Sequence, residues 1–476
     1  MYTRPQERFT TAVWILVVCT QSVLFANAAE PLRAKSRGLV FRSGFRPAQT
    51  LCVPRPACSE PDVTASDPTT RQSFKFDPDG RLIVVPVRIG GKEYPFVLDT
   101  GCGVSVFDDS LRPYLGRQID TLNMWDPFGN GVEVDVYPPP DACVGSLPMR
   151  KHNVACRDLT ELREAFGFDL RGFIGMEFLK DWITTIDFDK GRIDFLPSGT
   201  MKKPEWGESV PCIYDTKGLR ICSKIGKDIE GSFEVDTGNT GTGNLEDMLV
   251  LQLVVSHEAR LNGDTKCVTA SGVHSPVVTR LSHFSVGSFQ HDDLRFTTAS
   301  ANVLGLGYLS RYRVTIDFPN GQIYLAKGNQ FADRDRGSMC GLGLLFKTHG
   351  IEIAYVDEKC PAYAAGVRAK DVLVDVCGTS VSVLKPSEIY RMLTAEGRPV
   401  RMAVERGGKR IEVRFTPYEY EEQPGKNGVS TKPDCARKDP QSGIPAVRPC
   451  PCRRSRPRRF SSGRLRCEVS RLGCGR

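Results

Sequence analysis

The sequence of 476 residues predicts a mostly β protein, built from two homologous halves and a smaller α+β domain. An internal repeat predicts the two halves, because Phe173–Leu179 matches Val303–Leu309 at an offset of 130 residues. The tripeptide Asp-Thr-Gly also occurs once in each half, at an offset of 137 residues. From about residue 338 the pattern changes to a glycine loop followed by short β-rich segments, which predicts the third domain.

The repeat extends over most of each half. Thr185–Phe188 matches Thr315–Phe318 at the same offset of 130, and glycines 191 and 321 each lie in a turn between β-rich segments, as hairpins require. A loop that is seven residues longer in the first half would explain the change in offset from 137 to 130. We therefore predict lobe 1 at residues 76–198 and lobe 2 at residues 205–328.

The repeated Asp-Thr-Gly is the first candidate functional feature. A single copy would be weak evidence, since Asp and Gly are common turn residues. Here each copy follows a β-rich run and precedes an apolar-apolar-Gly segment, which occurs at Ile174-Gly175 and at Leu304-Gly305. The two copies are Asp99-Thr100-Gly101 and Asp236-Thr237-Gly238.

On these motifs, residues 76–328 resemble the retropepsin-like and pepsin-like aspartic proteases, which carry an Asp-Thr-Gly in each half of a symmetric molecule. The resemblance implies two fused retropepsin-like acid protease lobes in a monomeric unit, with Asp99 and Asp236 as the catalytic pair and no cofactor. It also implies residues that support the catalytic turns, namely Thr100, Gly101, Thr237, Gly238, Ile174, Gly175, Leu304 and Gly305. The chain departs from the family pattern at Cys102 and Asn239, where Ala, Ser or Thr is common.

Two carboxylates suit this chemistry because two neighbouring acids cannot both ionise cheaply and therefore share one proton. The ionised member draws a proton from a water that attacks the peptide carbonyl, while the protonated member donates to the carbonyl oxygen. The implied function is an endopeptidase that acts on polypeptide substrates, with greatest activity in acid. The alternative is a catalytically weak scaffold whose third domain binds peptides.

Two further segments are candidates for β-hairpin flaps that cover the substrate. They contain Gly129, Asn130 and Gly131 in lobe 1, and Ser271 and Gly272 in lobe 2. The Asn-Gly pair favours a tight hairpin turn. Ordinary surface hairpins would give the same pattern, so both interpretations stay open.

The third domain, at residues 338–417, resembles a PDZ domain. Its glycine loop spans Cys340–Phe346, a Pro-Ala-x-x-Ala-Gly helix entry follows at residue 361, and Ser387–Leu393 would form the groove helix. The resemblance implies that peptide or protein C-termini add as a strand, with the terminal carboxylate held by the backbone amides of Leu342, Gly343 and Leu344. The alternative is a groove that only packs on the protease lobes.

The two ends of the chain have a different composition. Residues 1–28 predict a signal peptide, from an apolar run and a small-x-small site at Ala26-Asn-Ala28, so we expect a periplasmic or secreted protein. An uncleaved membrane anchor is the alternative. Residues 29–75 predict a linker or pro-segment, and residues 419–476 a disordered basic tail.

Charge and histidine spacing bear on the partners. Residues 451–476 hold nine arginines and one glutamate, a balance equal to the +8 of the whole chain. The body is therefore near neutral, and we expect no nucleic-acid partner for the folded part, although the tail could bind anionic surfaces. His274, His283 and His291 are too widely spaced for a helical metal pair, so we predict no metal site; ligation from separate strands is the alternative.

Overall fold

The structure, a computed structural model, describes residues 12–13, 71–78, 82–215, 218–227, 229–269, 271–336 and 340–419. Of the predicted signal peptide it describes only Ala12–Val13, a two-residue strand β1. The rest of that segment, residues 29–70 of the predicted linker and the tail from residue 420 lie outside the described residues.

Lobe 1 is made mainly of strands. They are β2 (Gln72–Lys75), β3 (Val84–Ile89), β4 (Lys92–Leu98), β5 (Val106–Asp108), β6 (Asp120–Trp125), β7 (Gly131–Tyr137), β8 (Ala142–Val144), β9 (Leu147–Pro148), β10 (Val154–Arg157), β11 (Gly172–Ile174), β12 (Trp182–Asp187) and β13 (Arg192–Pro197). Its two α-helices are α1 (Thr160–Phe166) and α2 (Met176–Leu179). The strands form because apolar residues alternate, as in β3, where Val85, Val87 and Ile89 are buried.

Lobe 2 repeats much of this order. Its strands are β14 (Glu208–Asp215), β15 (Gly218–Ile225), β16 (Ile229–Val235), β17 (Gly243–Glu246), β18 (Ala259–Thr269), β19 (Gly272–His274), β20 (Val277–Val286), β21 (Phe289–Ala299), β22 (Val303–Leu304), β23 (Tyr312–Asp317) and β24 (Gln322–Lys327). Its α-helices are α3 (Asp247–Val255) and α4 (Leu306–Leu309). The short helices α2 and α4 lie 130 residues apart, at the offset of the sequence repeat.

The two lobes share a sheet and a core. Strand order β2-β13-β12-β23-β24-β14 continues into lobe 2, while most of lobe 1 forms a separate nine-stranded sheet. At the junction, β12 and β23 are antiparallel, and Thr185 lies opposite Thr315 with their hydroxyl oxygens 3.0 Å apart. These residues also differ by 130, so a local twofold axis passes between them. One continuous apolar core extends through both lobes.

The lobes differ most between the strands that precede α2 and α4. In lobe 1, fourteen residues that include α1 separate β10 from β11, whereas three residues separate β21 from β22 in lobe 2. The hairpin strands of lobe 2 are longer, at eleven residues for β18 against six for β6, and this offsets part of the insertion. The predicted seven-residue loop difference is thus the net result of two changes.

The third domain has its own sheet and core. It contains β25 (Leu342–Lys347), β26 (Gly350–Val356), α5 (Pro361–Ala364), β27 (Val372–Val376), β28 (Thr379–Ser380), α6 (Pro386–Leu393), β29 (Val400–Arg406) and β30 (Lys409–Phe415). The sheet order is β25-β26-β27-β29-β30, with β28 on β27, and a separate set of apolar residues fills the core. The observed α+β composition agrees with the prediction.

Two predicted boundaries were wrong by a few residues. Residues 72–75, assigned to the linker, form β2, because Phe74 packs edge-on against Phe195 and the strand pairs with β13. Glu419, assigned to the tail, forms ion pairs with Arg280 and Arg334. Both segments are too short for a periodic signal in the sequence.

No helix within the described residues is long and apolar enough to cross a membrane. Seven of the cysteines among them are free thiols, namely Cys156, Cys212, Cys222, Cys267, Cys340, Cys360 and Cys377.

Candidate functional site

The two Asp-Thr-Gly turns begin at the ends of equivalent strands. Asp99 follows β4 and Asp236 follows β16. Beside each strand runs a parallel partner, β11 or β22, so that Asp99 N donates to Ile174 O at 3.0 Å and Asp236 N donates to Leu304 O at 2.9 Å. The apolar-apolar-Gly segments therefore hold the first residue of each turn in place.

Reciprocal hydrogen bonds join the two turns through their threonines. Thr100 N donates to Thr237 Oγ1 at 3.1 Å, and Thr237 N donates to Thr100 Oγ1 at 3.0 Å. Each hydroxyl then donates across to the other lobe, Thr100 to Val235 O at 2.6 Å and Thr237 to Leu98 O at 2.8 Å. Any movement of one turn relative to the other would break buried bonds.

The carboxylates of Asp99 and Asp236 lie face to face across the glycines. A Cβ placed on Gly101 would lie 2.6 Å from Asp236 Cγ, and one placed on Gly238 would lie 2.6 Å from Asp99 Cγ. Each carboxylate also accepts from the glycine of its own turn, at 2.9 Å and 2.8 Å. Glycine is required at both positions because any side chain would occupy the space of the opposite carboxylate.

Burial controls the protonation of this pair. Asp99 and Asp236 are both 0% exposed. Burial raises the pKa of Asp236 to about 7, although hydrogen bonds from Gly238 N and Asp99 act in the opposite direction. A pair with one member titrating near neutrality holds a shared proton throughout the acid range.

Behind the turns, the glycines of the two apolar-apolar-Gly segments pack tightly. A Cβ on Gly175 would lie 2.7 Å from Cys102 O, and one on Gly305 would lie 2.4 Å from Gly241 O. The unusual residue Asn239 is fully buried, donates to Asn244 Oδ1 at 2.8 Å and accepts from Gly241 N at 2.9 Å. The second turn therefore accommodates the asparagine with its polar atoms bonded.

Both candidate flap segments form hairpins, β6/β7 and β18/β19. The first turn differs from the predicted Asn-Gly turn. It is the five-residue loop 126–130, and the left-handed residue is Gly129, with φ of 80°, while Gly131 already belongs to β7. Asp126 causes this longer turn by accepting from the amides of Phe128 and Asn130. Thr269 pairs with Gly272 at the end of the second hairpin.

The structure brings the two hairpins into contact through Asp126. Ser271 Oγ donates to its carboxylate, and Thr269 Oγ1 donates to Oδ2 at 3.0 Å. His274 Nε2 lies 3.1 Å from the same oxygen, and the His274 ring stacks on Phe128 with ring centroids 4.3 Å apart. Asp126 and its partners thus form a latch that joins the two hairpins.

The latch depends on an ionised Asp126, which is 4% exposed. Burial acts to raise the pKa of Asp126, but hydrogen bonds from Ser271, Asn130 and Thr269 together outweigh it, so the pKa lies below its usual value. The carboxylate therefore stays charged in mild acid and keeps its acceptor role.

The third domain has a groove between an edge strand and a helix. The rings of Phe346 on β25 and Tyr390 on α6 lie 6.4 Å apart, centroid to centroid. Leu342, Gly343 and Leu344 begin β25, and a bulge interrupts its pairing with β26 between Gly343 and Leu344. A strand edge beside a helix can accept an added peptide strand.

Comparison with known families bears on this domain. The model of the PDZ domain family matches residues 352–406. This segment is a PDZ domain. The match confirms the PDZ resemblance and begins after the predicted carboxylate-binding residues 342–344, which lie on β25 of the same sheet. PDZ domains bind peptides, so peptide or protein partners are expected. A search of curated proteins found no match for the chain.

The predictions missed Asp126, which joins the two hairpins, and Glu177, whose carboxylate lies against Gly175. They also missed Asp108, whose buried carboxylate accepts hydrogen bonds from residues on both sides of α1. Asp126 directly precedes a Pro-Phe-Gly-Asn turn, and such an Asp is a known turn signal that could have identified it. Glu177 occupies the position of Gly307 in the repeat. Alignment of the two halves therefore reveals a charged residue where the other half has glycine, and this difference could have identified it. Nothing in the sequence indicates that His274 meets Asp126, because their contact depends on the packing of two distant hairpins.

Proposed function

We propose that the protein is an aspartic endopeptidase whose single catalytic pair is formed by Asp99 and Asp236, one from each lobe. The observation that supports this proposal most strongly is the reciprocal arrangement of the turns, in which each carboxylate lies against the glycine of the other. Two buried carboxylates held in this way share a proton, as general acid and base catalysis on an amide requires. The substrates would be extended or unfolded polypeptides.

The residues divide this work as follows. The ionised carboxylate takes a proton from a water that attacks the peptide carbonyl carbon, and the protonated carboxylate donates to the carbonyl oxygen. Thr100 and Thr237 hold the two turns in register through their crossed bonds. The latched hairpins, centred on Asp126, are the candidates for flaps that must open to admit a chain. The PDZ domain would recruit or regulate substrates.

The test is cleavage of fluorescein-labelled denatured casein from pH 3 to pH 9, with the parent chain and the variants Asp99→Asn and Asp236→Asn. Because the pair needs one proton and Asp236 titrates at about 7, we expect activity in acid and loss of activity as pH rises through neutrality. Each variant should lose at least about 100-fold in rate.

Circular dichroism of the variants provides the folding control. A parent that cleaves equally well into alkaline pH, or a variant that retains full activity, would contradict the shared-proton pair. A folded parent that cleaves at no pH would favour the alternative, a scaffold whose PDZ domain binds peptides.

A further inference from the structure

Lobe 1 covers the open edge of the PDZ sheet. Among the described strands, β25 pairs only with β26 and is therefore an edge strand. Helix α1 packs alongside β25. This helix belongs to the segment of lobe 1 that has no counterpart in lobe 2, where three residues join the equivalent strands.

The side chains of β25 show from which direction lobe 1 approaches. Leu345 packs against the core shared by the two lobes, whereas the next residue, Phe346, packs against its own domain and Tyr390. Phe346 also meets lobe 1, since a Cβ on Gly167, at the end of α1, would lie 2.5 Å from the Phe346 ring. Successive side chains of a strand point to opposite faces, so a body that touches both residues lies at the strand's open edge.

A charge on lobe 1 acts at one wall of the groove, and a hydrogen bond joins lobe 1 to the other. Lys347 on β25 donates to Glu352 at 2.8 Å, and the negative charges of Glu352 and of Glu164 on α1 both act on its ammonium group. On the opposite wall, Ser387 of α6 donates to Asp77 of lobe 1 at 2.9 Å. Lobe 1 thus contacts the strand and the helix that form the groove.

The position of α1 is fixed within lobe 1 by the buried carboxylate of Asp108. This carboxylate accepts from Leu159 N at 3.1 Å, just before the helix, and from Arg163 within it. Arg171, after the helix, donates to it at 3.2 Å. Asp108 ends β5, the strand that follows the first Asp-Thr-Gly loop, so the helix is held to lobe 1 and leaves β25 only when lobe 1 itself moves.

We propose that α1 occupies the edge at which a peptide would add to the PDZ domain, so that a peptide with a free C-terminal carboxylate binds only by displacing lobe 1 from β25. The groove is then an intramolecular docking surface in the resting protein and a peptide site in the opened one. The proposal concerns the PDZ domain and does not depend on proteolytic activity.

The test measures binding of the full chain, carrying Asp99→Asn, to an array of octapeptides synthesised with free C-terminal carboxylates. Glu164→Lys places a positive charge against Lys347, and Leu345→Asp removes an apolar contact with the lobes. Glu161→Lys makes the same charge change on an exposed position of the same helix and serves as the matched control. Thermal unfolding checks that all the variants fold.

We expect Glu164→Lys and Leu345→Asp to raise the summed array signal about tenfold, because apparent affinity scales with the fraction of open molecules. Glu161→Lys should leave the signal unchanged. The gain of Glu164→Lys over the parent depends on repulsion between charges, so it should persist at low salt and fall clearly in about 0.5–1 M salt, which screens the charges. Equal binding by the parent and both contact variants, or no binding by any of them, would overturn the proposal.

Discussion

The two Asp-Thr-Gly turns have the same backbone but different surroundings. Cys102 O accepts from Met176 N at 2.7 Å, and Asn239 O accepts from Leu306 N at the same distance. Behind the first turn lie the thiol of Cys102, Ser105 and the buried acid Glu177. Behind the second lies a network of amides and hydroxyls in which Asn239 bonds Asn244, which donates to Thr297. The symmetry thus extends only as far as the atoms that hold the carboxylates.

This difference indicates what the repeat must preserve. The crossed threonine bonds and the close glycines constrain both turns, because each contact across the local twofold axis is repeated by the equivalent pair of residues. The residues that fill the layer behind each turn come from one lobe, so the two lobes can fill it differently. The stability that each set of side chains contributes should then respond differently to pH and to substitution.

The largest expected difference concerns Glu177, whose counterpart in lobe 2 is Gly307. Burial raises the pKa of Glu177 to about 7, with hydrogen bonds from Ser105 acting against the shift. The folded state therefore binds this proton more tightly than the unfolded state. The stability that results is complete below pH 4.5 and is lost as pH rises to about 7, which amounts to roughly 3 kcal/mol at 1.36 kcal/mol per pKa unit.

Urea unfolding of the full chain from pH 4 to pH 8 checks this value. Glu177→Gln keeps the shape and removes the titration, so its free energy of unfolding should fall less than that of the parent, by roughly 3 kcal/mol over this range. Asp236 contributes in the same direction and is present in both proteins, so it cancels in the comparison. Parallel pH curves for the two proteins would show that Glu177 is not a buried acid in the folded state.

A smaller difference is expected between Asn239→Ala and Cys102→Ala. The first leaves the buried partners Asn244 Oδ1 and Gly241 N without their bonds, which costs about 2–3 kcal/mol. The second removes a weak thiol contact with Val104 O and a small apolar group, at about 1 kcal/mol. Thermal unfolding at pH 5 measures the loss of stability in each variant. If Cys102→Ala were as destabilised as Asn239→Ala, the layers behind the two turns would not differ in the way described.

The sequence predicted much of the architecture because the repeat is local and periodic. The paired motifs predicted which strands precede Asp99 and Asp236, and the pattern after residue 338 predicted the PDZ domain. The five-residue turn at Asp126 was missed because the Asn-Gly pair predicted a tight turn at Asn130-Gly131. The observed loop instead forms around Asp126, which accepts hydrogen bonds from its amides.

Contacts between distant segments could not be predicted. The latch joins Asp126 to Ser271, which are 145 residues apart, and α1 meets a strand of another domain. Such contacts arise from how whole elements pack, and neither hydrophobic period nor turn chemistry carries that information. Asp108 was missed for a related reason, because its burial depends on α1, which has no counterpart in the repeat. Glu177 lies within the repeat, but the sequence does not show that its carboxylate is buried.

The central claim is that one catalytic pair is assembled within one chain. The most direct test mixes Asp99→Asn with Asp236→Asn in equal amounts and measures cleavage of labelled casein at pH 5, beside the parent and each variant alone. If the pair forms between the two lobes of a single chain, the parent cleaves and the mixture is as inactive as either variant. Activity restored by mixing would show that the aspartates pair between chains and would contradict the account.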